Sequence, residues 1–183
     1  MPKRNVKRMC YAALLAAMYL PLSLYAAVQV GNVRISFGSL PVVAAALLFG
    51  PVDAVIVAMV GEFFKQLLTY GVTYTTVLYL IPPALRGLVV GLGALALLSL
   101  RGQRLEERRM LCYAVCIVAA VCTTLGNTLV NWLDSVLMGY YFPGLILGDF
   151  VWRLIVGMIN AVVMSSLAIP LVKALRQRNA VSL

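Results

Sequence analysis

Apolar residues fill long, nearly unbroken blocks of this chain, and polar residues collect where the blocks end. The blocks predict six membrane-crossing helices, at about 9–30, 38–49, 52–70, 76–100, 110–138 and 148–173; a bilayer core asks for roughly 20 apolar residues per helix. The second block is shorter than that. Gly50-Pro51 separates it from the third, which predicts a tight helical hairpin. A few polar positions interrupt the blocks, and they recur at helical spacing: Glu62, Lys65, Gln66 and Thr69; Tyr79, Pro83 and Arg86; Thr124, Asn127, Asn131 and Asp134; Asp149, Arg153, Gly157 and Asn160. In the run NTLVNWLD, Asn127, Asn131 and Asp134 fall within roughly 60° of one another around a helix. A charge facing lipid costs at least ~2.5 kcal/mol. The four stripes are therefore expected to turn towards one another, around a shared polar cavity open to the outside.

Composition agrees with the blocks. Of 183 residues 63% are hydrophobic and 11% charged, and the mean hydropathy is +0.97. Soluble domains carry about one quarter charged residues, and a core in water could not absorb this much apolar surface. An all-α membrane protein of six transmembrane helices is expected, since backbone polar groups must pair inside lipid. No repeat divides it, so residues 1–183 read as one domain. The first block has a basic start but no small-residue cleavage site of a signal peptide.

The net charge of +9 changes meaning once it is placed. Lys3, Arg4, Lys7 and Arg8 precede the first block, Arg101, Arg104, Arg108 and Arg109 join the fourth to the fifth, and Lys173, Arg176 and Arg178 follow the sixth. All three groups fall on one side, which predicts a cell-membrane protein with both termini cytoplasmic. Membrane lipid headgroups, not nucleic acid, are the partners this implies. The four cysteines form no CxxC pair, and there is no histidine, so no metal, cofactor or catalytic residue is assigned. The cysteines read as small buried packing residues. There is no P-loop, HExxH or GxSxG either. The chain reads as a binding subunit, not an enzyme, that borrows energy from partners.

Four basic residues stand apart from the three groups. Arg34 falls in the first outer loop, Lys65 and Arg153 in the outer half, and Arg86 near the bilayer middle. Glu62 with Lys65, and Asp149 with Arg153, serve equally as packing pairs or as ligand contacts. Arg34, Arg86 and Arg153 together resemble a clamp for a carboxylate, because guanidinium forks match carboxylates. Asn127 and Asn131 would add directional hydrogen bonds. Tyr79 and Trp132 belong to an outer aromatic group that either marks the membrane interface or stacks on a ring in the ligand. Pro82 and Pro83 are expected to kink the fourth helix. Ala12 with Ala16, and Ala13 with Ala17, set small residues four apart, for contact within the fold or with another subunit; Gly87 and Gly91 repeat the spacing for internal packing. A stand-alone ion-coupled carrier with Glu62 or Asp134 as proton site, or a purely structural subunit, are the alternatives.

The segments RISFGSLPVVAAALLFGP (34–51), PALRGLVVGL (83–92) and NTLVNWLDSVLMG…WRLIVG (127–157) resemble the substrate-binding S components of energy-coupling factor (ECF) vitamin transporters, most closely the folate-type group. The resemblance covers most of the chain. It implies a six-helix bundle with a vitamin-like ligand bound near the outer face. It further implies a transmembrane T subunit docking on Ala12, Ala13, Ala16 and Ala17, and two cytoplasmic ATPase subunits supplying energy. Arg34, Arg86, Asn127 and Arg153 match its basic or polar positions and are implied to contact the ligand or shape its site. Ligand class and position together imply a small anionic, ring-bearing solute. The segment GVTYTTVLYLIPP and the Glu62/Lys65 pair depart from the folate-type pattern.

Overall fold

The structure is a computed structural model that describes residues 6–30, 33–144, 148 and 150–177, without the side chains of 28–30 and 33–35. Asp149 and the Arg34 side chain therefore lie outside the described residues, and with them the expected Asp149–Arg153 pair.

Among the described residues six helices make up the body: α1 (Val6–Leu24), α2 (Ser39–Phe49), α3 (Pro51–Tyr70), α4 (Ile81–Arg101), α5 (Arg109–Leu137) and α6 (Phe150–Gln177). Short 3₁₀ turns at Leu78–Leu80 and Leu105–Glu107 lead into α4 and α5. The first block is not one span to residue 30. α1 stops at Leu24, and a small antiparallel hairpin follows, β1 (Ala27–Val30) with β2 (Val33–Ser36), which sets Arg34 opposite Gln29. The alternation VQV…VRIS is a strand pattern that the apolar run concealed. The two prolines do not kink α4. They occupy its first turn, where a missing N–H costs nothing.

Gly50 makes the α2–α3 break with φ 88°, a conformation that disfavours any side chain, and Pro51 opens α3. The hairpin this creates holds the centre of the molecule. Nearly all of α2 is buried, and α1, α3, α4 and α6 all pack on it. Glycines let α4 lie close against α3: a Cβ at Gly91 would stand 2.4 Å from the Pro51 Cα, and one at Gly87 2.9 Å from the Ala54 backbone.

The carbonyl end of α2 receives cations from two other helices. Arg8 of α1 donates to the Phe49 carbonyl and pairs with Asp53, while Arg176 of α6 donates to the Leu47 carbonyl at 2.7 Å and pairs with Glu106 at 2.9 Å. Positive charge is favourable there because the last carbonyls of a helix lack backbone partners. This is the basic end of the bundle.

Among the described residues, three helical stretches are long and apolar enough to cross a membrane: Leu78–Arg101, Arg109–Leu137 and Phe150–Gln177. α2 is apolar but has only 11 residues. Charged side chains (Lys7 and Arg8 in α1; Asp53, Glu62 and Lys65 in α3) keep the remaining two below that mark. The six expected spans thus become six helices, three of them unambiguous by length and composition.

Candidate binding site

At the end opposite the basic one, the helices part around a cavity of about 780 Å³. Each of the four stripes contributes: Glu62, Lys65 and Gln66 from α3, Arg86 from α4, Thr124, Asn127, Asn131 and Asp134 from α5, and Arg153, Gly157 and Asn160 from α6. Asn127, Asn131 and Asp134 thus face this one space. Tyr70 and Met138, both largely exposed, stand at its rim. Six of the eight residues singled out as binding candidates line it: Lys65, Tyr79, Arg86, Asn127, Asn131 and Arg153. Trp132 does not. It sits among the exposed aromatics instead, 42% accessible, because one residue beyond Asn131 the helix has turned about 100° away.

Two carboxylates in the wall are already committed. Glu62 is buried, accepting from the Tyr19 hydroxyl at 2.5 Å, the Lys65 ammonium at 2.8 Å and the Gln66 amide at 2.9 Å. Asp134 accepts from the Tyr79 hydroxyl at 3.0 Å and from Tyr140, joining α5 to the turn before α4 and to the segment after α5. That bond, ahead of burial, raises the Tyr140 hydroxyl above the usual tyrosine pKa. A carboxylate serving as a proton carrier would have to break these bonds at every cycle.

Arg86 is placed differently. Among the described residues its guanidinium makes no hydrogen bond and no ion pair, though it lines the cavity from the middle of the bundle. Below it a second space of about 10 Å³ lies between Arg86, Cys116, Asn160 and Met164, enough for about one water molecule. Asn160 donates to the Ser36 carbonyl at 3.5 Å, while its buried Oδ1 has no hydrogen-bond partner among the described residues. A donor of Arg86 and an acceptor of Asn160 are thus left for a guest molecule.

Tyr19, Ser36, Ser39, Thr73, Thr75 and Thr123 also line the cavity and were not anticipated. Tyr19, Ser39 and Thr123 lie in helices, where hydroxyl side chains are common, while Ser36, Thr73 and Thr75 lie on the hairpin and in the loop after α3; helical Thr123 and Thr124 bond back to Ala119 and Ala120 carbonyls in the usual way.

The alanines of α1 divide by face. Ala16 is buried and Ala12 packs against the core, which leaves only Ala13 and Ala17 on the surface. The cysteines divide likewise: Cys112 and Cys116 are buried, Cys122 is half-buried and Cys10 is exposed, against the expectation of four buried ones. No group of three potential metal ligands stands together among the described residues.

Comparison with known proteins adds two findings. Residues 3–177 match the model of a family described as the ECF-type riboflavin transporter S component. The fold matches a solved S component of a bacterial ECF transporter with a TM-score of 0.64 and 20% sequence identity, over 93% of this chain and 96% of that one. No curated protein sequence matches.

Proposed function

The chain belongs to the family of ECF-type riboflavin transporter S components, and from that premise we propose that it captures riboflavin or a close flavin relative outside the cell and delivers it for ATP-driven uptake. As a member it is a transporter subunit and not an enzyme, and its family implies a vitamin-like ligand, a T subunit and ATPase subunits as partners. The folate-type likeness of the sequence is not the subgroup the family model names.

The observation that carries the flavin reading is the balance of charge in the cavity. Lys65 is paired with Glu62, and Asp134 is held by tyrosines, so much of the wall presents neutral amides and hydroxyls. Such groups suit a flat ring with N–H and C=O edges and a polyhydroxyl tail. The volume lies within the roughly 300–1,000 Å³ of small-molecule sites. The basic end, with its lysines and arginines, is assigned to the cytoplasm and the cavity to the outside.

A second reading rests on Arg86. A guanidinium that makes no hydrogen bond or ion pair among the described residues also suits a carboxylate, which favours a folate-type anion. Purifying the chain from cells in detergent and identifying what comes with it separates the two. The flavin reading expects a visible absorption band and a flavin mass at about one per chain; a pteridine carboxylate in its place would support the second reading, and a ligand-free protein that takes up neither would refute both.

A further inference from the structure

Tyr19 is the one cavity-lining side chain contributed by α1. It is buried at 6% accessibility and donates its hydroxyl to Oε2 of Glu62 on α3. The other oxygen of that carboxylate, Oε1, holds Lys65 and Gln66, which both face the cavity. Glu62 is thereby a buried hub with three hydrogen-bond donors among the described residues, and the tyrosine fixes the oxygen that the two cavity-facing groups do not use. The backbone is shaped for this contact. A Cβ on Gly61 would stand 2.5 Å from the Tyr19 ring, so only glycine at that position lets the ring cross α3 and reach the next residue. Ser23, one turn further along α1, is set equally tightly against Gly38 at the start of α2.

We propose that Tyr19 is a positioning residue: through Glu62 it fixes Lys65 and Gln66 for the ligand and ties binding to the seat of α1 on α3. The same helix carries the exposed Ala13 and Ala17 on its other face. A shift of α1 along the bundle therefore reaches the cavity at Tyr19 itself and reaches Lys65 and Gln66 through one hydrogen bond to a charged acceptor, the kind of contact whose loss is felt most. Binding and any displacement of α1 are then coupled, and the coupling is reciprocal.

The proposal rests on the cavity being the ligand site, and its test keeps the two claims apart. The full chain is labelled with 3-fluorotyrosine, and the resonance that disappears in Tyr19→Phe is assigned to Tyr19. Without any ligand, that resonance shifts in Glu62→Gln, Lys65→Met and Gly61→Ala if the link exists. Riboflavin is then titrated as the probe. Tyr19→Phe and Gly61→Ala each weaken it about tenfold, and combining Tyr19→Phe with Glu62→Gln costs much less than the product of the single losses. A purely structural role would lower the melting temperature of the ligand-free protein and leave affinity alone. Losses that multiply, or a Tyr19 resonance indifferent to Glu62→Gln, overturn the proposal. Shifts as expected in a wild-type chain that ignores riboflavin would refute the flavin reading and leave the link standing.

Discussion

Arg86 and Glu62 are both charged side chains inside an apolar bundle, yet their situations are opposite. Glu62 accepts three hydrogen bonds and holds structure together, whereas Arg86 makes no hydrogen bond or ion pair among the described residues and feels the Glu62 charge only at longer range. Removing a buried charge that no hydrogen bond or ion pair holds relieves desolvation, so Arg86→Met is expected to leave the melting temperature of the ligand-free protein unchanged or raised. If Arg86 holds the ligand as proposed, the same change also removes a charge-assisted hydrogen bond worth about 1.5–3 kcal/mol, or roughly ten- to a hundredfold in affinity. Thermal unfolding and ligand titration of Arg86→Met check both signs. Glu62→Ala has the reverse signature: it strands Tyr19, Lys65 and Gln66 and should lower stability by about 3 kcal/mol. At this scale the sequence was legible where a residue type is rare in lipid. Arg86, Asn127 and Asn131 stood out for that reason. Tyr19 and Thr123 did not, because a tyrosine or threonine in a membrane helix is ordinary.

The elements follow from local rules with two exceptions. Gly50-Pro51 announced the α2–α3 break, and the basic residues marked the helix ends at one side. The β1–β2 hairpin was hidden because its apolar residues continue the run of α1, and strand alternation over eight residues is a weak signal beside a long block. The faces of α1 were also illegible, since Ala12 to Ala17 look alike until the helix is seated and only Ala13 and Ala17 remain outside. Close packing of α4 on α3 is the most brittle joint. With Pro51 backbone 2.4 Å from a Gly91 Cβ, Gly91→Ala must push the two helices apart, and overpacking of this kind costs about 1–3 kcal/mol. A lower melting temperature in detergent for Gly91→Ala, set against an unchanged one for Leu100→Ala at an exposed site of the same helix, is the expected result.

The molecule as a whole is open at one end and closed at the other. The cavity lies at one end of the bundle, while the carbonyl end of buried α2 and the Arg8–Asp53 and Arg176–Glu106 pairs fill the basic end. A carrier working alone would need to part that packed end to release its cargo, and its candidate proton sites, Glu62 and Asp134, are bound to neighbours. The chain reconstituted alone in liposomes is therefore expected to bind ligand without accumulating it, with or without a proton gradient. Accumulation is expected only when the T and ATPase subunits that its family implies are present. Gradient-driven uptake by the chain alone would revive the stand-alone carrier. Hydropathy showed a membrane helical bundle and the polar stripes showed that something is shared between helices. Which ligand fills the space depends on side-chain directions that spacing alone does not give.

The most direct measurement is an equilibrium titration of the purified, ligand-free chain with riboflavin, followed by flavin fluorescence, in the wild type and in Asn131→Leu. One flavin is expected to bind per wild-type chain with its emission quenched, and Asn131→Leu should weaken binding at least tenfold, since it replaces a cavity hydrogen-bonding group with an apolar one. Equal binding by the two proteins, or none by the wild type at micromolar concentrations, would contradict the claim that these converging polar side chains form the flavin site.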